Sequence, residues 1–125
     1  MTLPSILAVA AGGAVGAVLR YLISLIPFNG NFPIATLVTN ILGALVIGFI
    51  SGFAASGTAD KNAVLFLKTG VCGGFTTFST FSLECFQLFE SGKILTGSVY
   101  VVLSLSGCLL GVWAGTALSK AVFSK

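Results

Sequence analysis

The sequence has no histidine and very little charge. Lysine, arginine, aspartate and glutamate make up only 7% of its 125 residues, whereas hydrophobic residues make up 56%. A soluble domain normally carries about 25% charged residues, so this composition excludes a soluble globular domain. Without a histidine, a pair of acids or a nucleophile beside a base, the chain offers no recognisable catalytic site. We therefore predict an integral membrane protein that is not an enzyme.

Basic clusters and paired cysteines are also missing. The net charge of +3 is spread thinly over six basic residues, so we predict no nucleic-acid partner. Cys72, Cys85 and Cys108 stand at unrelated spacings inside apolar stretches, which fits neither a disulfide framework nor a metal site. We interpret them as small packing residues.

Four apolar stretches are long enough to cross a bilayer, which requires about 20 residues per helix. Short connectors with turn residues separate them and leave no room for a soluble domain. The sequence therefore predicts an all-α membrane protein, a single four-helix transmembrane domain over residues 1–125. Its predicted spans are residues 3–26, 33–55, 63–89 and 94–118.

The basic residues orient these spans only weakly. Both termini and the second connector share one side, with Lys61, Lys120 and Lys125, whereas Lys93 lies on the other side and Arg20 is near it. Since basic residues near helix ends favour the cytoplasm, so small a bias is compatible with insertion in both orientations.

Glycines recur at every fourth position in three spans, a spacing that lets helix backbones approach closely in lipid. One four-helix unit leaves little interior for a polar pathway. We therefore expect an oligomer in which at least one glycine face meets another subunit. The glycines are Gly12, Gly16, Gly48, Gly52, Gly107, Gly111 and Gly115.

Polar side chains at membrane depth are costly and usually face a partner or a pathway. Arg20 is either an interfacial anchor or a source of positive potential at the mouth of an anion path. Asn40 either makes a structural hydrogen bond between helices or presents its amide donors to a pathway. Tyr100, Ser104 and Cys108 share one helical face, which we interpret as a donor track.

The motif GVCGGFTTFSTFS, residues 70–82, should interrupt the third helix. Gly73 and Gly74 have poor helix propensity, and the threonines after them favour caps and turns. An interruption at membrane depth is tolerated where freed backbone groups line a cavity or meet an ion. The first half-helix then presents carbonyls suited to a cation, and the second presents N–H groups suited to an anion. Thr77 or Ser79 is the predicted cap of the second half.

Phe78 and Phe81 are three residues apart and so project from one face after the interruption. Core packing is the simpler interpretation of such a pair in isolation. The positive edge of an aromatic ring, however, attracts a small anion where water is scarce. Beside a helix interruption, we interpret both rings as candidates for an anion pathway.

Four places in the chain together resemble the Fluc family of fluoride channels, also called CrcB. They are GGAVGAVLRY (12–21), TLVTNILGAL (36–45), the 70–82 motif and the Tyr100 stripe. The resemblance implies an antiparallel, dual-topology homodimer with two pores in the bacterial inner membrane, through which fluoride leaves passively. Arg20 would be a vestibule residue or an anchor. The pore residues that it implies are Asn40, Phe78, Phe81, Ser79, Thr80, Tyr100, Ser104 and Ser106.

The resemblance also implies a structural sodium ion at the dimer centre, held by the backbone carbonyls of Gly73 and Thr76 of each subunit. The implied partners are fluoride, the lipid bilayer and a second, antiparallel copy, although a heterodimer with a paired gene product remains an alternative. Cys108 departs from the family pattern, because a hydroxyl is common there and a thiol is a weaker donor.

A small four-helix proton-coupled exporter is the alternative function. Such a carrier needs an acidic residue for proton exchange, and Glu84 is the only acid well inside a span. A requirement for a pH gradient would favour the carrier, whereas a purely structural subunit would give no ion flux.

Overall fold

The computed structural model of the chain describes residues 2–57 and 59–123. Lys125, one of the basic residues used to predict the orientation of the spans, lies outside the described residues. Every regular element in this part of the chain is a helix. The helices are α1 (Leu3–Ser24), α2 (Ile34–Ala55), α3 (Lys61–Val64), a π-helix (Leu65–Cys72), α4 (Gly73–Phe75), α5 (Phe78–Glu90) and α6 (Ile94–Phe123).

Three of these helices, α1, α2 and α6, are long and apolar enough to cross a membrane. The chain is therefore a multi-pass membrane protein. The third predicted span is divided among α3, the π-helix, α4 and α5, so no single helix of that length occurs there. Helix α6 continues beyond the predicted end of its span to Phe123.

Local sequence explains several helix ends. Proline occupies the first turn of α1, where its missing N–H costs nothing. Asp60 caps α3 by accepting the Ala63 N–H over 2.8 Å. Gly92 follows α5 with a φ of 75°, a left-handed conformation that glycine adopts without strain. Lys93 N–H then donates back to the Leu88 carbonyl over 2.9 Å and closes the helix end.

Glycine allows two helix pairs to pack backbone against backbone. In the α2–α6 pair, a Cβ atom at Gly115 would strike the Leu45 carbonyl. The second pair joins α1 to the third segment, which is residues 61–90 from the start of α3 to the end of α5. There a Cβ atom at Gly16 would strike the Val71 carbonyl. All seven glycines of the predicted faces meet neighbouring helices of the same chain. This is an intramolecular use of the spacing, and contact of a glycine face with another subunit stays a prediction.

The predicted interruption of the third segment is observed, but it lies after the glycine pair. Gly73 and Gly74 remain helical, and the chain becomes extended at Thr76 (φ −80°, ψ 157°) and Thr77 (φ −150°, ψ 116°). Gly74 serves packing instead, because a Cβ atom there would strike the Gly13 carbonyl of α1. The predicted cap is confirmed: Thr77 Oγ1 accepts the Thr80 N–H over 3.2 Å.

Candidate functional site

Asn40 of α2 bridges the helix interruption from the side. Its Nδ2 donates to the Thr77 carbonyl over 3.0 Å, and its Oδ1 accepts the Thr77 N–H over 2.8 Å. One amide therefore satisfies both backbone groups of an extended residue, as an interruption at membrane depth requires. The structural hydrogen bond that we gave as one alternative for Asn40 is confirmed. The second Nδ2 hydrogen stays a predicted pathway donor.

The carbonyl end of α4 loses partners at the same point. In a continuous helix the Thr77 N–H would donate to the Gly73 carbonyl, but it donates to Asn40 instead. The next carbonyl, that of Gly74, accepts a hydrogen bond from Arg20 Nε over 3.2 Å. Arg20 thus places its positive charge at the negative end of the half-helix, which is favourable.

The predicted sodium ligands, the carbonyls of Gly73 and Thr76, lie at or next to this carbonyl end. Gly73 is exposed, and no atom lies within 4 Å of the position that its Cβ would take. Unpaired carbonyls at the end of a half-helix suit a sodium ion. Since two carbonyls cannot surround an ion alone, Gly73 and Thr76 would supply only part of such a site.

A groove of about 370 Å³ lies between α2, the interruption and α6, and we call it the central groove. Its lining is mostly apolar, with a few polar groups that converge on it. This composition is typical of a small-ligand site. The candidate residues that line it are Asn40, Thr76, Phe78, Phe81, Ser104 and Cys108.

The two phenylalanines of the motif occupy different environments in the groove. Phe78 is 76% exposed, whereas Phe81 is only 8% exposed. Their ring centroids are 5.7 Å apart with an interplanar angle of 46°. Phe81 also packs edge-on against the Tyr100 ring, with a centroid distance of 5.1 Å. The core therefore fixes Phe81, while Phe78 has an open side.

Only part of the predicted donor track of α6 lines the central groove. Ser104 and Cys108 line it. The Ser104 side chain is 5% exposed, and among the described residues its hydroxyl is one of two buried side-chain groups without a hydrogen-bond partner. Ser106 is exposed on another face and donates to the Val102 carbonyl over 2.6 Å. Ser106 is therefore outside the groove in this chain.

Tyr100 of the predicted donor track does not line the central groove, and its hydroxyl contacts Glu84 instead. The tyrosine is completely buried, and its hydroxyl donates to Glu84 Oε2 over 2.7 Å. Thr36 of α2 donates to the other carboxylate oxygen over 2.8 Å. Glu84 is thus held by hydroxyl donors from two other helices. Tyr100 also packs edge-on against Phe32, with a centroid distance of 5.5 Å.

A second, more polar cavity of about 290 Å³ lies on the α1 side of the interruption. Arg20 lines it together with the threonines Thr36, Thr39, Thr77 and Thr80. Thr77 lines both this cavity and the central groove. The structure therefore divides the predicted pore residues, with Thr80 beside Arg20 and most others in the central groove.

Sequence reasoning missed two contacts of the site. Phe32 belongs to a connector whose turn residues gave no sign that its ring would cover Tyr100. Thr36 shares a helical face with Asn40, but the sequence offered no reason to pair it with Glu84, which follows 48 residues later.

Ser79, another predicted pore residue, is exposed, and its hydroxyl lies 3.3 Å from that of Thr77.

Comparison with known proteins identifies the family. A family profile described as CrcB-like protein, Camphor Resistance (CrcB), matches residues 7–116. The fluoride-specific ion channel FluC of Ruminiclostridium cellulolyticum is 49% identical over 124 residues, which cover 96% of this chain and 95% of that protein. The proteins of the same name from Chlorobaculum tepidum and Rhizobium meliloti are 48% and 44% identical, and cover 96% and 94% of this chain and 98% and 97% of their own lengths.

These relatives are named as ion channels, which agrees with the prediction that the chain is not an enzyme. The family resemblance of the four sequence motifs is confirmed. Identity of nearly one half along almost the full length of both chains leads to one conclusion: this chain belongs to the CrcB family.

Proposed function

We propose that the chain forms a passive, fluoride-selective channel that exports fluoride across a bacterial inner membrane. Two antiparallel copies form the channel, which has two pores, and a sodium ion stabilises its centre. The observation that carries the proposal is the buried Ser104 hydroxyl. Ser104 lines the central groove together with Asn40 and the two phenylalanines, and its hydroxyl has no hydrogen-bond partner in the described part of the chain. We take fluoride as the transported ion because the relatives are named as fluoride-specific ion channels.

The shape of the central groove supports assembly with a second copy. The groove is open on one side, and Phe78 at its edge is 76% exposed. A second chain that covers this side encloses the groove and turns it into a pore. The exposed Gly73, at the start of α4, lets the carbonyl ends of two chains meet around one sodium ion.

The chemistry of the lining suits fluoride. Fluoride is small and strongly hydrated, so a pore must replace its water with donors without binding it too tightly to leave. The groove offers the remaining Asn40 N–H, the Ser104 hydroxyl and the positive edges of Phe78 and Phe81. These are few and mostly neutral donors, and a narrow lining of this kind excludes chloride by size.

The contacts of Glu84 argue against the carrier alternative. Its two carboxylate oxygens accept hydrogen bonds from Thr36 and Tyr100. Both oxygens are therefore engaged within the protein, and the two bonds hold the side chain in one orientation. A proton carrier instead needs a carboxyl group that gains and loses its proton during each cycle. We therefore assign Glu84 a structural role in the channel.

Fluoride efflux from liposomes tests the proposed function. The purified protein is reconstituted in vesicles loaded with potassium fluoride or potassium chloride, and a potassium ionophore supplies charge balance. We expect fast fluoride efflux without a pH gradient and no comparable chloride efflux. Absence of fluoride flux from correctly folded protein, or flux only with a pH gradient, would contradict the channel.

In the same assay, Phe78→Ile should slow fluoride efflux about two- to tenfold, which corresponds to about 0.5–1.5 kcal/mol, the energy of a contact between two aromatic rings. Phe86→Ile is the matched control, because Phe86 is an exposed phenylalanine of the same helix that does not line the central groove. Equal fluoride rates for the two variants would remove Phe78 from the pathway.

Ser104→Ala should reduce fluoride efflux without reducing the stability of the protein. We expect fluoride efflux to fall about tenfold or more, because a hydrogen bond to a charged group contributes about 1.5–3 kcal/mol. The free energy of unfolding should stay the same or rise, since the hydroxyl has no partner in the protein. Ser106→Ala, on the exposed face, is the control and should leave efflux unchanged. If Ser104→Ala lowers the free energy of unfolding but leaves the rate of fluoride efflux unchanged, the hydroxyl has a structural role instead.

A further inference from the structure

A second apolar groove lies at the N-terminal end of α1, away from the polar cavity at its C-terminal end, and we call it the lateral groove. It has a volume of about 510 Å³ and runs between the N-terminal half of α1 and the start of the third segment. From its lining we infer that it binds one phospholipid with an anionic headgroup. This inference requires only that the chain spans a membrane. The lining residues are Ser5, Ile6, Val9, Ala10, Lys61 and Leu65.

The order of residues in the lateral groove matches the order of groups in a phospholipid. Lys61 is the first residue of α3 and is exposed, so it lies at the end of the membrane-spanning segment where headgroup phosphates are found. Leu65, Ile6 and Val9 form an apolar surface below it. An acyl chain can cover this surface while the ammonium group contacts the phosphate.

The polar neighbours of Lys61 leave its charge free for this contact. The Asp60 carboxylate accepts the Ala63 N–H over 2.8 Å as the cap of α3. Ser5 Oγ donates to Asn62 Oδ1 over 3.0 Å and ties the two walls of the groove together. Lys61 is the only charged residue in the lining of the lateral groove. The charge therefore selects an anionic headgroup over a zwitterionic one.

Native mass spectrometry of the purified protein tests the lipid site. The protein is titrated with phosphatidylglycerol or phosphatidylcholine of the same acyl chains, and the retained lipid is counted. We expect phosphatidylglycerol to bind about fivefold more tightly, which is the typical effect of one lysine at a membrane surface. Lys61→Gln should remove this preference. Lys120→Gln is the matched control, since Lys120 is an exposed lysine in the last turn of α6 and does not line the groove.

Two further measurements separate the possible sources of binding. Ala10→Trp fills the apolar part of the groove and should abolish retention of both lipids. Added inorganic phosphate should not displace bound phosphatidylglycerol, because the acyl chain holds it. The inference would be overturned if the wild type bound the two lipids equally, or if Lys61→Gln and Lys120→Gln lost the preference for phosphatidylglycerol to the same extent. It would also be overturned if Ala10→Trp still retained lipid, or if phosphate displaced bound phosphatidylglycerol.

Discussion

Asn40→Asp should reduce fluoride efflux about 100-fold or more. The substitution replaces the Nδ2 donor with a carboxylate oxygen that faces the Thr77 carbonyl, where the native amide donates over 3.0 Å. The carbonyl would then lose its partner at a cost of about 1–3 kcal/mol. The new negative charge would also repel the ion, by about 4 kcal/mol at 4 Å when the effective dielectric constant is near 20.

Liposome efflux gives the rate for Asn40→Asp, and size-exclusion chromatography shows whether the variant still assembles. Asn40→Ser is a useful comparison, because it removes the bridge to Thr77 without adding charge. We expect it to conduct more slowly than the wild type but faster than Asn40→Asp. If both variants conduct at the wild-type rate, neither the bridge nor the amide donor contributes to the pathway.

Gly16→Ala should produce a large loss of stability. The added Cβ atom would strike the Val71 carbonyl and would lie 2.7 Å from the Phe75 nitrogen, so backbone would have to move away from backbone. Overpacking of this kind costs about 1–3 kcal/mol. Because the displaced residues lead directly into the interruption, we also expect fluoride efflux to fall strongly.

Gly13→Ala is the matched control on the same helix. No atom lies within 4 Å of the position that its Cβ would occupy, and alanine has the higher helix propensity, by about 1 kcal/mol. Unfolding of both variants in mixed detergent micelles gives the comparison. If Gly13→Ala is destabilised as much as Gly16→Ala, the close approach of α1 to the third segment is not the cause.

Much of the fold could be predicted from composition and local patterns. The long apolar stretches predicted α1, α2 and α6 because helix length in a membrane follows from bilayer thickness. Capping chemistry predicted Thr77 or Ser79 as the cap, and Thr77 is the cap observed, since its hydroxyl is placed to accept a backbone N–H of the next turn. These features depend on neighbours in the sequence, which is why they could be read from it.

The parts that could not be predicted depend on contacts between distant residues. Helix propensity put the interruption at Gly73 and Gly74, but the close packing of Gly74 on α1 keeps that turn helical. Periodicity placed Tyr100 on the donor track, but the carboxylate of Glu84 attracts its hydroxyl elsewhere. In both cases a partner from another helix outweighed the local preference.

The bridge between Asn40 and Thr77 has a consequence for the speed of transport. The extended backbone at the interruption is held by a side chain of α2, which bonds both the N–H and the carbonyl of Thr77. A pathway built on such a rigid frame would need no rearrangement each time an ion enters or leaves. Preorganisation removes that cost, and throughput would then be limited by the exchange of water for donors.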